Sequence, residues 1–141
     1  MGMIKCVCIS KERKSSACSI QQCEVTVLGM KGDIHYGMSQ RRHVSMLPFD
    51  KIKDYFDTRE EEILYGRFGE NLVVEGMDWD SLKVGQRLCT NSVVLEIVRI
   101  GAATPASDAY QGPKVCVPME PYFVFCRVLT EGVLRTGDTI R

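Results

Sequence analysis

Short apolar or alternating segments bounded by turn residues recur along the whole chain, and this pattern constrains the fold most. Residues 3–9 (MIKCVCI) are apolar and β-rich. Residues 22–28 (QCEVTVL) alternate, which predicts Cys23, Val25 and Val27 on one face and Glu24 and Thr26 on the other. Further strands are expected at 43–47, 71–75, 122–129 and 133–135. The runs 87–90 and 93–100 flank Asn91-Ser92, which reads as a hairpin turn. One helix is expected near 49–56, because Phe49, Ile52 and Phe56 follow Pro48 at spacings of three and four. The charged run 59–62 starts a second helical turn or forms a solvated face.

Many short strands with one or two short helices predict a mainly β protein, a closed or nearly closed β-barrel. At 141 residues the chain is expected to form a single domain, 1–141. Its 45% hydrophobic and 26% charged residues are a folded composition rather than a disordered one. Lys+Arg and Asp+Glu both number 18, and this balance argues against a nucleic-acid partner. No apolar run reaches the roughly 20 residues of a membrane span, and no export signal is visible, so a cytoplasmic protein away from the membrane is expected.

Two stretches are richer than turns require. Residues 29–42 (GMKGDIHYGMSQRR) place Asp33 and His35 among Gly29, Gly32 and Gly37, with Arg41 and Arg42 following. Glycines turn the backbone sharply and expose N–H groups to an anion, and arginine forks onto phosphate. The segment reads either as an anion site or as a glycine turn whose Asp caps backbone N–H groups. Residues 101–121 form a long loop with four prolines, and long loops inside a folded unit are often functional. It carries Cys116, two residues after Lys114, and a nearby cation raises the thiolate fraction.

The seven cysteines are Cys6, Cys8, Cys18, Cys23, Cys89, Cys116 and Cys126. An odd number with no export signal indicates reduced thiols. Cys6 and Cys8 share a strand face; with Cys18 and Cys23 they make a thiolate metal site or, alternatively, are small core residues. Cys89 and Cys126 are expected in the core and Cys18 on a loop. His35 and His43 are the only histidines, and no acid partner for a catalytic triad is evident.

The segments GMKGDIHYG and RRHVSM, FGENLVVEGMD at 68–78, LKVGQRLCTNSVVLEI at 82–97 and FCRVLTEGVLRTGDTI at 125–140 resemble, in order, the motifs of the MOSC domain family. That family takes its name from the C-terminal part of molybdenum cofactor sulfurase. The short, single-domain bacterial members are most similar. The resemblance implies a β-barrel-like fold and a role with molybdenum cofactor (molybdopterin), a phosphate-bearing pterin with a dithiolene-bound metal. It implies Gly32, Asp33, His35, Gly37, Arg41 and Arg42 on the cofactor. It also implies a reactive cysteine as sulfur carrier or metal ligand, and Cys116 in KVCVPM matches one family cysteine position. Where short members typically read Gly-Lys-Glu-Cys-His, this chain reads GAATPASDAY, without Cys or His. Neither a pyridoxal-phosphate desulfurase domain nor binding of pyridoxal phosphate is expected.

Three functions follow. The first is cofactor binding and sulfur transfer, or a cofactor-dependent reductase component, with Cys116 as catalytic thiol and metal ligand. The second is a non-catalytic module that binds the pterin cofactor, a molybdenum enzyme or a cofactor-biosynthesis protein. The third is a structural domain stabilised by zinc or thiols through Cys6, Cys8, Cys18 and Cys23.

Overall fold

The structure is a computed structural model, and it describes residues 1–11, 18–38, 43–101 and 117–141. Among these residues there are eleven strands: β1 (Gly2–Ile9), β2 (Cys18–Ile20), β3 (Gln22–Thr26), β4 (Gly29–Met30), β5 (Val44–Pro48), β6 (Leu72–Glu75), β7 (Arg87–Cys89), β8 (Val94–Ile100), β9 (Val124–Thr130), β10 (Gly132–Arg135) and β11 (Thr139–Ile140). Eight lie in one sheet, ordered β11-β1-β6-β5-β9-β8-β7, with β2 also paired to β1. The other three form a second sheet, ordered β10-β3-β4.

Neither sheet is closed, so the expected closed barrel is not found. The large sheet curls until its two edges meet at one residue pair. Cys89 N–H donates to the Arg141 carbonyl at 2.7 Å, and Arg141 N–H donates to the Cys89 carbonyl at 3.0 Å. No β7–β11 ladder extends from that pair.

The central strands bury both faces, as their nearly continuous apolar sequences require. Val44, Met46, Leu72 and Val74 point into a first core shared with Val25, Leu95, Ile97 and Leu134. Leu47 and Val73 point the other way, into a second core with Phe49, Ile52, Phe68 and Phe123. β1 serves both cores. A bulge between Ile4 and Cys6 shifts its register, so Ile4, Val7 and Ile9 face the first core while Cys6 and Cys8 face the second.

The helix α1 spans Phe49–Phe56, as the apolar spacing predicts, and buries Phe49 and Ile52 against the second core. It ends at Asp57, whose φ of 48° lies in the left-handed region. The run 59–62 is solvated: it holds an exposed 3-10 turn, Glu60–Glu62, with Arg59 paired to Glu62 at 2.9 Å.

Three sequence expectations are corrected. β3 stops at Thr26 and the chain turns, so Val27 is exposed rather than sharing the face of Cys23 and Val25. Cys89 is exposed, because on the edge strand β7 the pleat turns Leu88 inward and Cys89 outward. Cys18 opens β2 instead of sitting in a loop.

Candidate functional site

The glycine-rich segment follows β4 as a series of turns. Gly32 and Gly37 have φ of 88° and 76°, conformations that a side chain strains. Between them Asp33 turns inward, and its carboxylate is only 2% exposed. Asp33 Oδ1 accepts the Ser10 N–H at 2.7 Å and the Asn71 Nδ2–H at 3.3 Å. Oδ2 accepts the His35 backbone N–H at 2.9 Å and lies 2.9 Å from His35 Nδ1. Burial pushes this carboxyl upward, but hydrogen bonds from the His35 ring, Ser10 and the His35 backbone outweigh it and hold the group below the usual carboxylate range.

Asp33 therefore clamps the loop to the end of β1 and to the residue that precedes β6. Ile34 N–H adds a bond of 2.7 Å to the Ser10 carbonyl. Behind Asp33, Asn71 Oδ1 accepts the Ser45 N–H at 3.0 Å and the Ser45 hydroxyl at 3.1 Å, and Asn71 Nδ2 reaches the Cys8 carbonyl at 3.0 Å. The neighbouring Glu70 is fully buried, with its carboxyl oxygens accepting the Gly66 N–H at 2.9 Å and the Phe68 N–H at 3.0 Å. Burial pushes the Glu70 carboxyl up.

The His35 side chain is 66% exposed. An ionised carboxylate only accepts, so Nδ1 carries the proton and Nε2 is left on the solvent side of the pair. This acid–imidazole pair was missed in the sequence, although its signal is there: an Asp two residues before a His inside a glycine turn. Among the described residues no serine or cysteine is bonded to the ring, so a nucleophilic triad is not assembled there. His43 is a buried structural histidine whose Nδ1 accepts the Val128 N–H at 2.9 Å.

From Asp33 onward, the amides expected to face an anion are engaged within the protein. Asp33 N–H donates to Met30, Ile34 to Ser10, Tyr36 to Asp33, Gly37 to Leu28 and Met38 to His35, all carbonyls, while His35 N–H donates to the Asp33 carboxylate. The loop from Asp33 to Met38 is therefore no open nest of N–H groups. Its glycines shape the turn, Asp33 positions it, and His35 is the polar side chain it presents. Arg41, Arg42 and Cys116 lie outside the described residues.

The four cysteines of the zinc reading are not brought together. Cys6 and Cys8 pack in the second core and Cys23 in the first, while Cys18 is exposed. Among the described residues no three His, Cys, Asp or Glu side chains converge as metal ligands. Cys6 and Cys8 have Sγ atoms 3.6 Å apart, and the Cys6 sulfur also lies 3.1 Å from the Ser19 hydroxyl. The Cys8 contact, opposed by burial, brings the Cys6 thiol down to about 7, and its partner Cys8 is pushed strongly up. Surface hollows lie elsewhere, one along Lys53–Arg59 and one between α1, Trp79 and Tyr122, and neither includes a residue of the glycine loop.

Two open sheets around shared cores, with a clamped Asp–His loop at the entry to the central strands, define a β protein that carries a polar loop on a rigid scaffold. The MOSC domain family profile matches residues 31–141, and the chain belongs to the MOSC domain family. Its fold is similar to that of the YuaD protein from Bacillus subtilis, at 23% identity and a TM-score of 0.72, over 99% of this chain and 94% of that one. YiiM from Escherichia coli is similar at 13% identity and a TM-score of 0.66, over 99% of this chain and 68% of that one. YiiM from Geobacillus stearothermophilus is similar at 14% identity and a TM-score of 0.66, over 99% and 74%. No curated protein sequence matches the chain. Among the described residues no helix is long and apolar enough to cross a membrane.

Proposed function

We propose that this protein handles molybdenum cofactor, taking the phosphate end of the pterin at residues 32–42 and using Cys116 as a sulfur carrier or metal ligand. The observation that carries this reading is the Asp33–His35 pair, an imidazole oriented by a buried carboxylate at the mouth of the segment that leads to Arg41 and Arg42. An imidazole and two guanidinium groups fit a phosphate dianion. With the loop amides engaged, recognition falls to these side chains. Asp33, Gly32 and Gly37 act by holding the loop in shape. The bound cofactor would supply a dithiolene-held metal centre. Cys116, which matches a family cysteine position, is the protein ligand we assign to that centre.

In the carrier role, the Cys116 thiolate attacks the outer sulfur of a persulfide donor. The donor S–S bond breaks, a new S–S bond forms on Cys116, and the donor leaves as its thiolate. Calorimetry with the pterin cofactor tests the binding half. Arg42→Ala should lose about 1.5–3 kcal/mol, the worth of a hydrogen bond to a charged group. Equal binding by parent and variant sinks the assignment, and Arg41 is then the next residue to replace. If binding persists but Cys116 accepts no sulfur from a persulfide donor, the protein is a non-catalytic cofactor module.

A further inference from the structure

We infer that Cys6 and Cys8 form a buried two-thiolate site for a soft monovalent metal ion, of which copper(I) is the biological representative. The inference rests on the second core and is independent of the glycine loop. The two cysteines stand two residues apart on one face of β1, their sulfurs 3.6 Å apart and their side chains closed off at 4% and 0% exposure. Met119, 3% exposed, belongs to the same buried cluster. Leu47, Ile52 and Val73 belong to the same cluster, and the buried Glu70 carboxyl is the acidic group within electrostatic reach of both sulfurs.

This donor set selects its metal. Thiolate sulfur favours copper(I), whereas magnesium and calcium require oxygen. Structural zinc takes four ligands, and the cluster offers two thiolates. Cys18 does not supply a third: it pairs with Ile9, so the pleat turns it to the face opposite Cys8 and its partner Ser19. A disulfide is disfavoured as well. Residues two apart on a strand have Cα atoms about 6.6–6.8 Å apart, at the upper edge of the disulfide range. Closing the sulfurs to about 2.05 Å demands roughly 1.5 Å of movement. Two metal–sulfur bonds of about 2.3 Å require the pair to open by less than roughly 1 Å. Binding balances as one monovalent cation replacing two thiol protons, which leaves a site of net charge minus one. Ser19, on the exposed strand β2 with its hydroxyl 3.1 Å from Cys6 Sγ, marks the approach from solvent.

The test is an anaerobic titration of the full chain with copper(I) supplied as its acetonitrile complex, in competition with a chromogenic copper(I) chelator. One tightly held ion per chain is expected, with a near-ultraviolet sulfur-to-copper charge-transfer band. Cys6→Ser and Cys8→Ser should each weaken binding at least about 100-fold, more than loss of an outer-shell partner costs. Cys18→Ser and Cys116→Ser should leave it unchanged. A measurement on the unmodified protein guards against a variant that fails to fold. Alkylation mapping in mild denaturant should find Cys6 and Cys8 labelled in the metal-free chain but protected in the copper-loaded one, with Cys18 and Cys89 labelled in both. Absence of a tight ion, binding that survives both serine variants, or protection at Cys116 in place of Cys6 and Cys8 overturns the proposal.

Discussion

Asn71 holds Asp33 from behind: its side-chain nitrogen lies 3.3 Å from Asp33 Oδ1 and 3.0 Å from the Cys8 carbonyl, while its oxygen accepts two bonds from Ser45. One amide thus ties the loop to β1 and β5. Asn71→Ala strands several buried groups at once, each worth about 1–3 kcal/mol when unsatisfied. A urea midpoint equal to that of the parent would show that these bonds carry no net stability.

Asp33 and Glu70 shift in opposite directions, so they give stability opposite pH dependences. The Asp33 carboxyl is held low in the folded state, so its contribution is present above the ordinary carboxylate value and is lost as pH falls through the folded value. The Glu70 carboxyl is held high, so its contribution is complete below the ordinary value and is lost as pH rises through the folded one. Asp33→Asn should flatten the acid limb of a stability–pH profile, and Glu70→Gln the limb above it. An acid limb that persists in Asp33→Asn assigns it to other carboxylates.

Thiol reactivity should divide by environment. Burial pushes Cys126 up to about 12 and Cys23 up to about 11, so both should label only on unfolding. Limited iodoacetamide treatment at pH 6.5, followed by peptide mapping, should modify Cys116 ahead of the exposed Cys18 and Cys89. If Cys18 leads, the carrier role loses its residue.

Asp57 ends α1 with φ 48° and ψ 46°, a conformation that glycine adopts without steric cost. Asp57→Gly should therefore raise stability by about 0.5–1 kcal/mol, after the added freedom of the unfolded glycine is subtracted. Thermal unfolding reads this directly, and a lowered midpoint means the aspartate makes a compensating contact.

Gly132 is needed for space rather than for its dihedral angles. A Cβ there would stand 2.7 Å from the Ser92 carbonyl oxygen, where the β7–β8 turn meets β10. Ser92 Oγ donates to the Val133 carbonyl at 2.9 Å, fastening the two sheets at that corner. Gly132→Ala should destabilise by about 1–3 kcal/mol, the usual cost of overpacking, while Gly137→Ala, with open space around its Cβ, reports backbone strain alone.

The helix and most strands were legible because they rest on local periodicity. Phe49, Ile52 and Phe56 mark one helical face, and the alternation of Cys23 and Val25 survives in β3. What alternation cannot encode is where a strand stops or which edge it lies on. Val27 and Cys89 were misplaced for that reason. The two-residue strands β4 and β11 carry too little pattern to be seen. Closure of a barrel is a property of long-range pairing, and among the described residues the two edges of the large sheet meet at the pair Cys89 and Arg141 without a closing ladder. At the site, His35 and Asp33 were visible as residue types. Their partners Ser10 and Asn71 come from positions 23 and 38 residues away, a convergence that only folding creates.

β1 pairs with β6 along one edge and with β2 and β11 along the other. Its first ladder partner on that second edge, Ile140 opposite Gly2, is nearly the whole sequence away. During synthesis the first strand therefore emerges long before most of its lattice exists. Only β2 is near enough to shield it, and pairings of such long range place the chain among slow folders. A ribosome-bound chain halted before β6 leaves unpaired the backbone N–H and C=O groups on the edge of β1 that β6 covers, and that edge is satisfied only when residues 72–75 have been made.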